Sequence, residues 1–246
     1  MGKQVFVEHH MGMPMSIHVR CADPDRSDVP RAVRAAYAEL ARLDEIFSTW
    51  KPQSPVSRIR RGELTVAECD PLVAQAEAIG RQAYAATAGA FTTSLPDDEG
   101  VLRFDPTGLV KGWAVERAGA ELGGLPGVSW CINAGGDVLA GRHLHVPPEG
   151  EDAAPWRIGI EDPHDRSRIA HVVPIVVGGV ATSGTAARGA HLVDPATGER
   201  VGRPGSTSVI GPDLLWSDIW ATALFVGDER TRAAFAAHAA YQAIDL

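Results

Sequence analysis

Apolar and polar residues alternate near the start of the chain, over Gln4–Glu8 and again over Met15–Arg20, with Met11-Gly12-Met13-Pro14 between them. Period-two alternation interrupted by Gly and Pro predicts a β-hairpin. The period then lengthens. From Asp28 onward, Val33, Tyr37, Leu40, Leu43, Ile46 and Phe47 recur at three- and four-residue intervals, and Pro30 falls in the first turn. That pattern predicts an amphipathic helix. After the polar stretch STWKPQSPVSRIRRGE, a second helix is predicted from Pro71 to about Ala88, with Gly89 as its stop.

Beyond Gly89 the pattern breaks into short apolar runs between Gly-rich turns. A helix is predicted from Lys111-Gly112 to Leu122, and strands over Ser129–Asn133, Trp156–Ile160, His171–Val177, His191–Val193 and Ser208–Ile210. The Pro/Glu/Gly-rich stretch from Gly141 to Pro155 reads as an exposed loop. Two closing helices follow, Ser217–Val226 and Glu229–Tyr241. Strands mixed with flanking helices, without regular βαβ alternation, give an α+β class. No strand is followed by GxGxxG, and no GxxxxGK[ST] occurs, so neither a Rossmann nor a P-loop nucleotide site is offered.

Composition narrows the function. The 246 residues suit one domain, taken as 1–246, with a core that needs no disulfide or metal to hold it. The balance of 23 Lys+Arg against 31 Asp+Glu gives a net charge of −8, which argues against nucleic acid as a partner. Cys21, Cys69 and Cys131 lie far apart and fit neither a zinc spacing nor a disulfide set. With no apolar leader, no lipidation pattern and no run of about 18 apolar residues, the expectation is a cytoplasmic protein without a membrane anchor.

Four stretches combine residue types that carry chemistry. In DPTGLVKGWAVE, Asp105 to Glu116, a glycine turn and Lys111 open a helix where backbone N–H groups and an ammonium can face an anion. An ordinary loop and helix with a solvated lysine is the alternative. In NAGGDV, Gly135 and Gly136 allow close backbone approach just before Asp137, although a tight turn explains the same residues. In VATSGTAARGAHLVDPATGER, His191 stands near Thr182, Ser183, Thr185 and Asp194, a setting for a general base or for a structural histidine. In LLWSDIWATALFVG, Asp218 and Thr222 are four apart, on one helix face in apolar surroundings. Their oxygens suit a hard cation such as Mg²⁺; helix capping by Asp218 is the competing reading.

The order of these stretches resembles the ApbE family of FAD:protein FMN transferases. The resemblance runs over about nine-tenths of the chain through MGMPMSI, FSTWKPQSPVSRI, GAFTTSLP, DPTGLVKGWAVE, INAGGDV, WRIGIEDP, ATSGTAARGAHLVDPATGE and SDIWATALFVG. It implies a two-lobed α+β arrangement, related to the T-fold, with FAD between the lobes. It also implies FAD contacts at Met11, Trp50, Ala90, Phe91, Thr92, Asp105, Lys111 and Val193. Mg²⁺ would be held by the Gly108 carbonyl, Asp218 and Thr222, and His191 would take the proton. The implied reaction moves FMN from FAD onto a Thr or Ser hydroxyl of an acceptor protein, releasing AMP. An FAD pyrophosphatase yielding FMN and AMP, or a non-catalytic FAD carrier, stands as the alternative. Three positions depart from the family pattern: Thr92 in place of Asp, Trp50 in place of Tyr, and Ser54-Pro55 in place of Ser-Glu.

Overall fold

The computed structural model describes residues 2–97, 99–185 and 192–246. Strands β1 (Gly2–His10) and β2 (Met13–Cys21) form the expected hairpin, turned by only two residues, Met11 and Gly12. Both have positive φ, 52° and 74°, the backbone of a tight primed turn whose twist matches the strands. Helix α1 spans Asp28–Phe47 and buries the predicted stripe of Val33, Tyr37, Leu40, Leu43, Ile46 and Phe47. A short α2 (Pro55–Arg60) is capped by Ser54, whose side chain accepts the Ser57 N–H. Helix α3 (Pro71–Ala86) is capped by Asp70 and ends slightly before the expected limit, since Ala88 and Gly89 both turn to positive φ.

The small hairpin β3 (Ser94–Pro96) and β4 (Leu102–Phe104) precedes α4 (Thr107–Gly123). That helix starts four residues before the Lys111 predicted to open it, so Gly108 and Lys111 lie inside its first turns. Strands β5 (Val128–Ala134) and β6 (Asp137–Arg142) follow. The stretch predicted as an exposed loop is partly strand and partly docked: Asp152 is buried, and its carbonyl accepts the Ser129 hydroxyl at 2.6 Å. Next come β7 (Trp156–Glu161), β8 (Ile169–Ile175), β9 (Gly178–Gly184) and β10 (Ser206–Gly211). The chain closes with α5 (Leu214–Val226), α6 (Glu229–Phe235) and β11 (Gln242–Asp245). The last helix predicted to reach Tyr241 stops at Phe235, and the residues after it supply an edge strand.

Seven strands make one antiparallel sheet, ordered β1-β2-β5-β6-β9-β10-β11. Side chains alternate across it. Met15, Ile17, Val19, Trp130, Ile132, Leu139, Ala181 and Val209 point to one face, where they join the main core with α1, α4 and α5. On the other face, Cys131, Val138, Ala140 and Val180 pack under Trp156 and Ile175 of the separate β7–β8 hairpin. The architecture is α+β, as predicted. Among the described residues no helix is long and apolar enough to cross a membrane.

Candidate functional site

A cavity of about 730 Å³ lies between the β7–β8 hairpin, the hairpin-covered face of the sheet and the first turns of α4 and α5. This size falls in the usual range of small-molecule sites. Ala90, Phe91 and Thr92 from the loop after α3 line it, as do Gly108, Lys111, Val193, Asp218 and Thr222. Asp137 from β6 and Thr182 and Ser183 from β9 complete its polar floor.

Two glycine features bring the charged groups together. At Gly112 a Cβ atom would lie 3.0 Å from the Leu214 carbonyl oxygen and 3.1 Å from the Leu215 Cα. A side chain here would force the neighbouring backbone to give, so glycine lets α4 press closely on the start of α5 and brings Lys111 towards Asp218. Between β5 and β6, Gly135 and Gly136 take positive φ of 63° and 107°, and the Gly136 N–H donates to Asn133 Oδ1 at 3.0 Å. This turn delivers Asp137 to the same point.

Lys111 Nζ donates to Asp137 Oδ2 and stands 3.5 Å from Asp218 Oδ2. The other Asp137 oxygen accepts the Thr182 N–H at 2.9 Å. Asp137 and Asp218 are 2% and 3% exposed, so one ammonium serves two carboxylates screened from water. Burial pushes the Asp218 carboxyl well above the usual carboxylate range; the Lys111 charge opposes the rise and the Asp137 charge adds to it. Asp218 Oδ2 is enclosed and has no hydrogen-bond partner among the described residues. One turn further along α5, Thr222 Oγ1 and Ser183 Oγ share a hydrogen bond of 2.9 Å.

The helix-capping reading of Asp218 is resolved by position. Asp213 is the N-cap, accepting the Trp216 N–H at 2.8 Å, and Glu116 Oε1 accepts the Leu214 and Leu215 N–H groups at 2.6 and 2.8 Å. Asp218 is left to face the cavity.

The other residues singled out from the sequence fall into three groups. Ala90, Phe91, Thr92 and Val193 reach the cavity wall. Phe91 is buried with its ring against Gly108, where a Cβ would sit 3.3 Å away, and the Thr92 hydroxyl accepts the Ser94 N–H at 3.0 Å. Met11, Trp50 and Asp105 do not line the cavity. Met11 turns the first hairpin, and Trp50 is 92% exposed. Asp105 ties α2 to the start of α4, accepting Arg60 at 2.8 Å and the Thr107 N–H at 3.1 Å. His191 lies outside the described residues.

Asp137 is the main residue that motif reading did not place in the site. Its signal was available as a matching charge: an acid after Gly-Gly within an apolar strand needs a cation, and Lys111 is one of only three lysines. The far end of the cavity carried no such signal. There the Arg20 guanidinium lies 3.6 Å from the Trp156 ring centroid and donates to the Ala154 carbonyl at 2.8 Å. Burial, with Lys3 and Arg20 nearby, lowers the His18 pKa.

Comparison with known proteins gives one consistent result. The family model described as "ApbE family" matches residues 11–97 and 92–244. An FAD:protein FMN transferase of Escherichia coli K12 is 31% identical over 149 residues, which is 56% of this chain and 40% of that protein. Its counterpart in Klebsiella pneumoniae is 31% identical over 133 residues, 50% of this chain and 36% of that protein. The matched region thus spans well under half the length of these curated relatives. Among solved structures, the ApbE protein of Thermotoga maritima superposes with a TM-score of 0.80 at 21% identity, covering 99% of this chain and 94% of that one. A mutant of the flavin transferase ApbE from Vibrio cholerae gives 0.78 at 18% identity, covering 100% and 94%. These likenesses establish a shared fold.

Proposed function

The chain belongs to the ApbE family, and from that premise we propose that it catalyses Mg²⁺-dependent transfer of FMN from FAD to a Thr or Ser hydroxyl of an acceptor protein. The observation that carries this reading is the enclosed Asp218 Oδ2, without a hydrogen-bond partner among the described residues, beside Lys111 at the wall of a dinucleotide-sized cavity.

That oxygen also tests whether a divalent cation suits the residues present. Asp218 offers a carboxylate, Thr222 a hydroxyl and Gly108 a carbonyl, all hard donors. Among the described residues, no group of three or more His, Cys, Asp or Glu side chains forms a softer or richer site. So sparse a set of oxygens fits Mg²⁺, which keeps water and takes phosphate oxygens alongside one or two carboxylates. Bound there, the ion would neutralise charge developing on the pyrophosphate.

The chain's own groups do the rest. Lys111 meets a phosphate oxygen in this reading, and an enclosed position would strengthen that contact. Ala90, Phe91, Thr92 and Val193 shape the wall that aligns FAD. Trp50 and Met11 belong to the flavin's outer rim in this reading, and Asp105 steadies the helix start that carries Gly108 and Lys111. His191 accepts the hydroxyl proton as the acceptor oxygen bonds to the FMN-side phosphorus. The anhydride bond breaks, and AMP leaves with the bridging oxygen. Such chemistry depends on alignment and charge more than on covalent participation by the protein.

The test is incubation of the protein with FAD and Mg²⁺, with and without a Thr-bearing acceptor, followed by assay of AMP and of flavin fluorescence on the denatured acceptor. Covalent flavin that EDTA prevents is the expected result. AMP without covalent flavin would make the protein a pyrophosphatase, and FAD left intact in every tube would make it a carrier.

A further inference from the structure

Asp218 is the carboxylate a divalent cation would need, and in this structure an ammonium already attends it. Lys111 Nζ lies 3.5 Å from Asp218 Oδ2 while donating to Asp137, and the second Asp137 oxygen is held by the Thr182 N–H at 2.9 Å. That bond ties Asp137 in place beside the lysine. A dication entering beside Asp218 would meet a fixed positive charge, in a place where burial leaves little solvent to screen the repulsion.

Building on the proposed reaction, we propose that Lys111 is a resident counter-ion that closes the metal position until a diphosphate draws its ammonium away, so that nucleotide binds before metal. Lys111 also lines the cavity, and its flexible four-carbon stem can turn from the two aspartates to a phosphate oxygen. Once it turns, Asp218 Oδ2 is left enclosed, with no hydrogen-bond partner among the described residues. That is the condition in which a dication is most strongly favoured. Linkage requires the reverse effect as well: metal tightens nucleotide by the factor with which nucleotide tightens metal.

The experiment is titration of the full chain with Mn²⁺ in the absence of nucleotide, followed by electron paramagnetic resonance of the free ion. Lys111→Met and Lys111→Gln should each bind Mn²⁺ at least about fivefold more tightly than the wild type, the low end of usual coupling strengths. The Gln variant retains a donor towards Asp137 and serves if the Met variant does not fold. Adding Asp218→Asn to either should remove the gain. ADP, used as the diphosphate probe, should tighten Mn²⁺ binding more in the wild type than in Lys111→Gln. Variants no tighter than the wild type would overturn the gate, as would a gain that survives Asp218→Asn. The titration involves no FAD turnover. An inactive wild type would therefore overturn the reaction and leave the binding order standing, and a failed titration would do the opposite.

Discussion

The two faces of the seven-stranded sheet are built from the same strands yet obey different rules. The helix-covered face is a continuous apolar layer in which Met15, Ile17, Val19, Ile132 and Ala181 are fully buried. The hairpin-covered face closes over only a small apolar cluster around Cys131, Val138 and Trp156, and beyond it opens into the cavity. The first face is filled by packing, and the second leaves space beside polar groups. The charged centre of Lys111, Asp137 and Asp218 sits at the seam, where the sheet runs out and α4 meets α5. There two carboxylates are kept out of water for one ammonium, an arrangement that costs stability and supplies a place for chemistry.

Attacking the seam should separate activity from stability most sharply. Asp218→Asn should lower covalent flavin formation by at least about 100-fold, the scale seen when a group stabilising transition-state charge is removed. Its urea midpoint should not fall, because a buried charge is removed without emptying space. A variant that transfers flavin normally would dissociate Asp218 from the reaction.

The next contrast compares the faces directly. Ile132→Ala, on the fully buried side, should cost about 2–5 kcal/mol in urea unfolding, with little change in FAD affinity. Val138→Ala, on the cavity wall, should cost about 1–2 kcal/mol for its two lost methyl groups and should weaken FAD binding. Equal stability losses with equal FAD affinities would erase the distinction between the faces.

A smaller effect concerns Glu116, the carboxylate that caps α5 away from the cavity. Burial raises its pKa above the ordinary value, and the Leu214 and Leu215 N–H groups only partly offset this. The folded state therefore holds the proton more tightly than the unfolded chain does. The stabilising contribution is complete below the unfolded value of 4.5 and is lost as pH rises through the folded value. Glu116→Gln should gain stability relative to the wild type between pH 4 and 7, as measured by urea unfolding at each pH; a constant difference would refute the assignment.

The smallest change in stability belongs to Trp50→Ala. An indole that is 92% exposed should alter unfolding by no more than about 0.5 kcal/mol. A loss of FAD affinity in the same variant, followed by flavin fluorescence quenching, would place the residue at the rim of the site; unchanged affinity would remove it.

The local elements were readable because their causes are local. Period-two alternation marked β1 and β2, and the stripe from Val33 to Phe47 marked α1, since each depends only on which residues share a face. Elements that depend on distant partners were not. Strand β11 lies just past Tyr241, where the last helix is expected to end, and it exists because Ser208 and Ile210 of β10 pair with Ile244 and Gln242. Gly178–Gly184 has little alternation of its own and is fixed as β9 by β6 and β10 on either side.

The sequence by itself determined the α+β class, the helix carrying Asp218 and Thr222 on one face, and the motif order of the family. Tertiary structure decided that Lys111 answers two acids rather than water, and that Asp213 rather than Asp218 caps α5. It also set Trp50, Met11 and Asp105 back from the cavity wall. The physical reason is the same in each case. Side-chain periodicity is set within a few residues, whereas the partner of a buried charge is chosen among every group the fold brings within about 4 Å, and no short stretch of sequence encodes that list.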